Sequence, residues 1–259
     1  MILKGRGIAP GRAEGELLLL PAPFSFLGGV DASSGRLTVA SGREGDHLQD
    51  RVFAFPRGKG STVGSYTILD LKRNGKQPAA IINATAEPIV ATGAVMARVP
   101  MVDRIDLTLL KDGDQVIVDG LAGTVELPAV QEKHVVTSVV RCGDRVLMLK
   151  RSQKVSTNKG RWAAVSGYIE KDEEPLSAAR REVGEEIGLH DATLLKEGGP
   201  HLIRGDDVVW NIYTFLFSAP DEKVTLDWEH TEHRWMLPDE MEELPDRVPG
   251  LAQIVRDLL

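Results

Sequence analysis

Three glutamates stand close together in the second half of the chain. Glu182, Glu185 and Glu186 fall at i, i+3 and i+4 in a stretch opened by Pro175, suited to the first helical position, and closed by Gly188, a C-terminal stop. The spacing predicts a helix over 174–187 with three carboxylates on neighbouring sites of one face. Like charges so placed repel. A hard divalent cation turns repulsion into attraction, because magnesium takes oxygen ligands, keeps several waters and is shared between a few carboxylates and a substrate's phosphates. Arg181, four residues before Glu185, could pair with it as on a solvated helix face. A solvated face leaves unexplained the fixed spacing of Gly167, Glu173, the Arg181-Glu182 pair, the Glu185-Glu186 pair and Gly188.

Gly167, Glu173, Arg181, Glu182, Val183, Glu185, Glu186, Gly188 and Leu189 match every fixed position of the pattern G-x5-E-x7-R-E-U-x-E-E-x-G-U, with U apolar, and on these residues the second half resembles Nudix hydrolases. The resemblance implies an α/β/α sandwich around a mixed sheet. It implies Mg2+ (or Mn2+) held by Glu182, Glu185 and Glu186, with a backbone carbonyl at Ser166 or Gly167 as a further contact. Glu173 and Arg181 would fix the loop against the helix. The reaction would be hydrolysis of a diphosphate linkage in a small molecule, water attacking one phosphorus while the ions neutralise the leaving phosphate. Ser166-Gly167-Tyr168-Ile169-Glu170 departs from the Pro-Gly-Gly of many members, which bears on substrate subfamily and not on metal chemistry. Asp227-Trp-Glu-His-Thr-Glu232 offers Glu229 and His230 as a base, or is a polar loop between strands. Arg151 and Arg161 stand where a diphosphate could be met, and Trp162 reads as core.

The elements that must position these groups divide the chain. Up to about Glu126 the sequence reads as short strands, among them 16–20, 51–55, 115–119 and 123–127, with glycine-rich turns between them. Helices are predicted from Ser61 to Asn74-Gly75 and from Pro88 to Ala97. A polar linker over 128–133 comes next, opened by Pro128; then come strands at 134–140 and 145–149, the acidic helix, a long strand over 208–218 and a terminal helix over 251–259. The expectation is an α/β protein of two domains, 1–127 and 134–259, and all four tryptophans fall in the second.

In the first half, Phe55-Pro-Arg-Gly-Lys-Gly-Ser-Thr-Val-Gly-Ser65 gathers small residues where a strand meets a helix, a place where backbone amides hold anions and glycine admits a ligand to the main chain. It is no Walker loop, since Lys59 is followed by Gly60. Ser61 could equally be a helix cap. With 25–31, 79–82, 87–93 and 100–103, this run resembles the swivel domain of aconitase X enzymes, of the phosphomevalonate dehydratase small-subunit type. The resemblance implies a swivelling β/β/α domain closing over a separate large catalytic subunit that carries a 4Fe–4S cluster. Ser61 would be the proton acceptor in dehydration, with Gly60 and Ser65 beside it at the substrate. Cys142 is the chain's one cysteine, so the cluster ligands must lie on the partner.

Composition excludes several classes. Acids and bases balance before Pro128, so the formal charge of −7 belongs to the second half, and no basic stripe marks a nucleic-acid surface. No apolar run is long enough for a membrane span, and the start of the chain lacks the features of a signal peptide, so the expected location is the cytoplasm. Joined, the halves suggest a lyase subunit fused to a diphosphate hydrolase, with an isoprenoid diphosphate as one candidate substrate. A nucleotide-sanitising pyrophosphatase, an isomerase of isopentenyl diphosphate and a non-catalytic diphosphate sensor regulating the dehydratase stay open.

Overall fold

The computed structural model describes the backbone of residues 1–259 and every side chain but that of Glu242. The chain divides into two compact units, Met1–Gln131 and Glu132–Leu259. Among the described residues no helix is long and apolar enough to cross a membrane.

In the first unit β1 (Ile2–Lys4), β2 (Arg6–Ala9), β3 (Arg12–Leu19), β4 (Val52–Phe55), β5 (Ala80–Asn83), β6 (Met101–Asp103), β7 (Gln115–Asp119) and β8 (Thr124–Glu126) form one sheet in the order β1-β8-β7-β3-β4-β5-β6-β2. Its centre, β3 to β6, is parallel. Central parallel strands are covered on both faces and so read as unbroken apolar runs, as Val52-Phe-Ala-Phe55 does. Phe53, Phe55, Leu18 and Ile81 meet Ile68 and Leu71 of α1 (Val63–Arg73) and Val90 and Ala94 of α2 (Pro88–Ala97). Their sequence neighbours Leu17, Val52, Ala54 and Ile82, which point to the other face, are fully buried too. Gly93 lets the two helices touch, since a Cβ there would lie 2.6 Å from Ile68 Cδ1. Gly7 and Gly120 likewise bring β2 against the end of β7: a Cβ on either would overlap the other strand's backbone.

The start of α1 differs from expectation. The helix begins at Val63, and Thr62, its N-cap, makes no side-chain cap. Gly60, at φ +102°, and Ser61 turn the chain before the helix instead of opening it. Helix α2 starts where Pro88 predicts, with the Glu87 carboxylate accepting from Ile89 N and Val90 N at 2.9 and 2.8 Å.

The second unit contains β9 (Gln131–Cys142), β10 (Arg145–Arg151), β11 (Trp162–Ala163), β12 (Val165–Tyr168), α3 (Pro175–Ile187), β13 (Thr193–Glu197), β14 (His201–Arg204), β15 (Val208–Ser218), β16 (His230–Met236) and α4 (Leu251–Leu258). The sheet runs β11-β10-β9-β15-β13, with β12 also on β9, β14 on β15 and β16 on β10. Alternation along the strands sorts its faces. Val136, Val140, Leu147, Leu149, Phe215 and Phe217 pack on Ala178, Ala179, Val183 and Ile187 of α3. Val139, Val146, Met148 and Leu216 pack on Leu251, Ile254, Val255 and Leu258 of α4. The result is the helix–sheet–helix sandwich expected of this half. Gln131, Glu132 and Lys133, read from sequence as linker, already belong to β9: backbone pairing carries them into the strand, and hydrophobic alternation gives no sign of it.

Four phenylalanines, Phe24, Phe26, Phe53 and Phe55, meet with ring centroids 4.8 to 6.1 Å apart in the first core. Phe53→Ala is expected to cost about 3–5 kcal/mol. Scanning calorimetry should show the melting of the first unit lowered and that of the second unmoved; a shift of both would refute separate cores.

Candidate active site

Helix α3 lies under a cleft of about 690 Å³ lined by Gly167, Glu182, Arg181, Arg151, Lys154 and Glu229 at its polar end and by Val135, Tyr168, Trp210, Ile212, Trp228 and Ile203 along its apolar wall. The helix is set by Pro175 at its first turn and by Gly188, whose φ of +71° lets its N–H return to Gly184 O. The three glutamates differ in depth. Glu186 is buried, Glu182 is largely covered and Glu185 is exposed. Arg181 reaches Glu173 by two bonds of 3.0 Å, Glu182 at 2.7 Å, Glu185 at 3.1 Å and Tyr168 O at 3.1 Å. It thus ties the loop before the helix to the helix itself. Its hydrogen bonds hold the Glu173 carboxyl below the usual range, helped by the Glu170 amide.

Gly167 lies in β12, and a side chain there would overlap the Glu182 carboxylate, so only glycine lets that carboxylate lie against the strand. Burial pushes the Glu182 pKa up, with Arg181 opposing. Burial pushes that of Glu186 well above the ordinary value, and the nearby Glu182 charge adds to the shift. Glu186 Oε1 accepts from Ser166 N at 3.4 Å, while Oε2 is buried with no hydrogen-bond partner. A buried carboxylate left short of hydrogen bonds, next to a second covered carboxylate, is the donor chemistry a hard divalent cation takes up. Among the described residues no three acidic or histidine side chains already converge on one point. Glu182 and Glu185 are both turned to Arg181, so ligation by all three would require Arg181 to release two of them.

Glu229 and His230, neighbours in sequence, part in space. Glu229 lines the cleft, 3.8 Å from Arg151 Nη2. His230 has no exposed side-chain surface and lies beneath, its Nδ1 3.1 Å from Asp227 Oδ1 and its Nε2 3.8 Å from Glu186 Oε2. Burial lowers the His230 pKa against the pull of Asp227. The loop carrying both is stitched to the end of α3, Thr225 N donating to Ile187 O at 2.9 Å and Asp227 N to Glu186 O at 3.1 Å. Arg151 lines the cleft, whereas Arg161 stays outside it, with Nη1 3.4 Å from Arg247 O. Trp162 is buried in the core, with the Arg234 guanidinium 4.7 Å above its ring. Sequence reasoning missed the aromatic wall, where Lys133 Nζ stands 5.8 Å from the Tyr168 ring and 5.6 Å from that of Trp210. It also passed over Asp227, although an Asp three residues before a His in a turn is a recognisable pairing.

In the first unit Ser61 is exposed, its Oγ accepting from Val63 N at 3.3 Å; among the described residues no titratable side chain bonds it. Gly60 packs on Ser25, whose Oγ would stand 2.8 Å from a Cβ at position 60. Ser65 faces inward and donates to Thr62 O at 2.8 Å, away from the open turn.

An acidic helix under a cleft, between a sheet and a loop that glycine lets it touch, is the build of a Nudix domain; the small-residue turn between a parallel strand and a helix in the first unit is that of a swivel domain. Comparison with known proteins agrees. The family model of the aconitase X swivel domain matches residues 2–127, and that of the NUDIX domain matches residues 132–258. The phosphomevalonate dehydratase small subunit of Thermococcus onnurineus is 56% identical over 128 residues, 49% of this chain and 98% of that protein. The crystal structure of Thermococcus kodakaraensis aconitase X in its holo form is 52% identical, covering 49% of this chain and 98% of that one with a TM-score of 0.48. A MutT protein from Methanosarcina mazei is similar at 21% identity, covering 49% of this chain and 92% of that one, with a TM-score of 0.44. Through its first half the chain belongs to the aconitase X swivel family of phosphomevalonate dehydratase small subunits, and its second half is a Nudix domain.

A carboxyl whose pKa rises on folding binds more protons folded than unfolded between its two pKa values, so stability falls as pH rises through that interval. Glu186 is such a group in metal-free protein. In a chelator, Glu186→Gln is expected to melt with the wild type near about pH 4 and to exceed it by about 1–3 kcal/mol at about pH 8. Parallel curves across that range would refute the assignment.

Proposed function

We propose that the second unit hydrolyses a diphosphate linkage in a small molecule with the help of Mg2+ or Mn2+, and that the first unit is the small subunit of a dehydratase completed by a separate large subunit bearing the iron–sulfur cluster. One observation supports the hydrolase reading above the others: a buried Glu186 carboxylate, not fully satisfied by hydrogen bonds, whose charge interacts with that of Glu182 on the cleft lining. A bound divalent cation would neutralise the diphosphate and lower the pKa of the attacking water. Glu182, Glu185 and Glu186 would hold it, Glu182 and Glu185 being released by Arg181. Arg151 and Lys154 also line the cleft and would meet the diphosphate's charge, and Glu229, within the cleft, is the better placed of the two candidate bases. His230 is too deep to reach a substrate.

The likeness of the first unit to phosphomevalonate dehydratase small subunits supports a role for it in isoprenoid chemistry, which would make an isoprenoid diphosphate the leading substrate for the second. The apolar wall of Tyr168, Trp210, Ile212 and Trp228 suits a hydrocarbon tail. A diphosphate sensor is the second reading, favoured by the way Arg181 occupies both Glu182 and Glu185.

With prenyl and nucleoside diphosphates assayed side by side, prenyl monophosphate should appear only when magnesium is present, and Glu186→Gln should cut the rate by more than about 100-fold. Turnover of nucleotides alone would overturn the isoprenoid assignment. Diphosphate binding without turnover of any substrate would leave the sensor.

For the first unit, the protein should co-purify with an aconitase X type large subunit. Among the described residues no base hydrogen-bonds the exposed Ser61 hydroxyl, so its activation would come from the partner's groups. Ser61→Ala should keep the complex and lower dehydration by about 100-fold or more; full activity in that variant would remove Ser61 from the reaction.

A further inference from the structure

His230 is a buried polar side chain that the proposed reaction leaves without a task. Its ring has no exposed surface, and Nδ1 is fixed by Asp227 Oδ1 at 3.1 Å. Asp227 is itself held, its backbone N–H donating to Glu186 O at 3.1 Å and its Oδ1 accepting from Glu229 N at 3.0 Å. The ring is therefore locked in rotation, and its other nitrogen faces Glu186. His230 Nε2 and Glu186 Oε2 are both buried, both lack a hydrogen-bond partner, and stand 3.8 Å apart. Two unpartnered polar atoms facing each other in a dry interior are costly unless they serve each other, since each has given up its water. At 3.8 Å the pair is just beyond hydrogen-bond reach, and a small closing movement with a hydrogen on either atom would make a bond that fixes the torsion of the carboxylate.

We infer that Asp227 and His230 form a positioning pair that holds the Glu186 carboxylate from behind through Oε2, so that Oε1, on the Ser166 side, is presented to the cation. The inference rests on the reading of Glu186 as a metal ligand. His230 itself does not touch the ion or the substrate. The pair is the converse of the familiar arrangement in which a carboxylate orients a metal-bound imidazole, and loss of such supporting partners weakens metal affinity by about 10- to 100-fold. The connection also has a structural economy: the loop that supplies Glu229 to the cleft is anchored through Asp227 to the same residue it helps to orient.

The test is Mn2+ binding to the whole chain, followed by the loss of the free-ion resonance in electron paramagnetic titrations, with melting in a chelator as the control for folding. His230→Leu should bind Mn2+ about 10- to 100-fold more weakly than wild type. His230→Gln, whose amide reaches towards the Nε2 position, should recover part of that loss. In the wild type the 15N resonance of His230 Nε2 should move when Mg2+ is added, a response that a merely space-filling ring would not give. Wild-type affinity in a folded His230→Leu protein, or an Nε2 resonance indifferent to Mg2+, overturns the inference. Should His230→Leu fail to fold, Asp227→Asn decides by the same titration, with weaker binding expected and unchanged binding fatal. Failure of the wild type itself to bind Mn2+ sinks the metal reading instead, and is distinguishable because it needs no variant.

Discussion

Taking a carboxylate out of water costs several kcal/mol, and a second carboxylate alongside raises that cost. Glu186 bears both burdens: it is 3% exposed, shares its helix with Glu182 one turn earlier, and has one oxygen bonded to nothing. Much of the second unit's local architecture comes from accommodating it. Arg181 neutralises the outer carboxylates and binds the preceding loop to the helix; Gly167 removes a side chain so that Glu182 can lie against β12; the loop after β15 closes over the helix end and brings His230 to the remaining oxygen. Each would be unnecessary around an apolar residue. Under the proposed function they would keep an acidic site ready for a cation.

The first unit poses the opposite problem. Its reactive candidate is a neutral hydroxyl on an exposed turn, with no titratable side chain among the described residues bonded to it. The sheet and its two helices hold that turn firmly through α1 and the phenylalanine cluster, yet the chemistry is incomplete. A hydroxyl is a weak nucleophile and a weak base until another group activates it. A subunit built to be completed by a partner has this appearance, whereas the second unit carries within itself the acid groups, the arginines and the apolar wall that its reaction would need.

How far these sites were legible in the sequence depends on the range of the forces involved. Helix α3 and the i, i+4 pairing of Arg181 with Glu185 are local: proline, glycine and the helical repeat set them, whereas the tie between Glu173 and Arg181 was implied only by the family resemblance. The strand Val208–Ser218 and the helices near Pro88 and Leu251 were legible for the same reason. The start of α1 was not, because Gly60 takes a backbone turn that Ser61 and Thr62 do not advertise. Nor were the first residues of β9, whose place is decided by pairing with distant chain.

The order of residues alone established which of them could do chemistry and which half each belonged to, because a fixed pattern of charged residues and glycines is written in one dimension. What each does there was left to the packing of the folded chain. Packing buried Glu186 while leaving Glu185 in solvent, turned Arg161 away and kept Arg151 in the cleft, and parted Glu229 from His230 by sending one to the surface and the other beneath it. Glu229 ends the turn that leads into β16 and His230 opens the strand, so which of the two meets the cleft is settled when that loop packs on the end of α3, and no local spacing can state it.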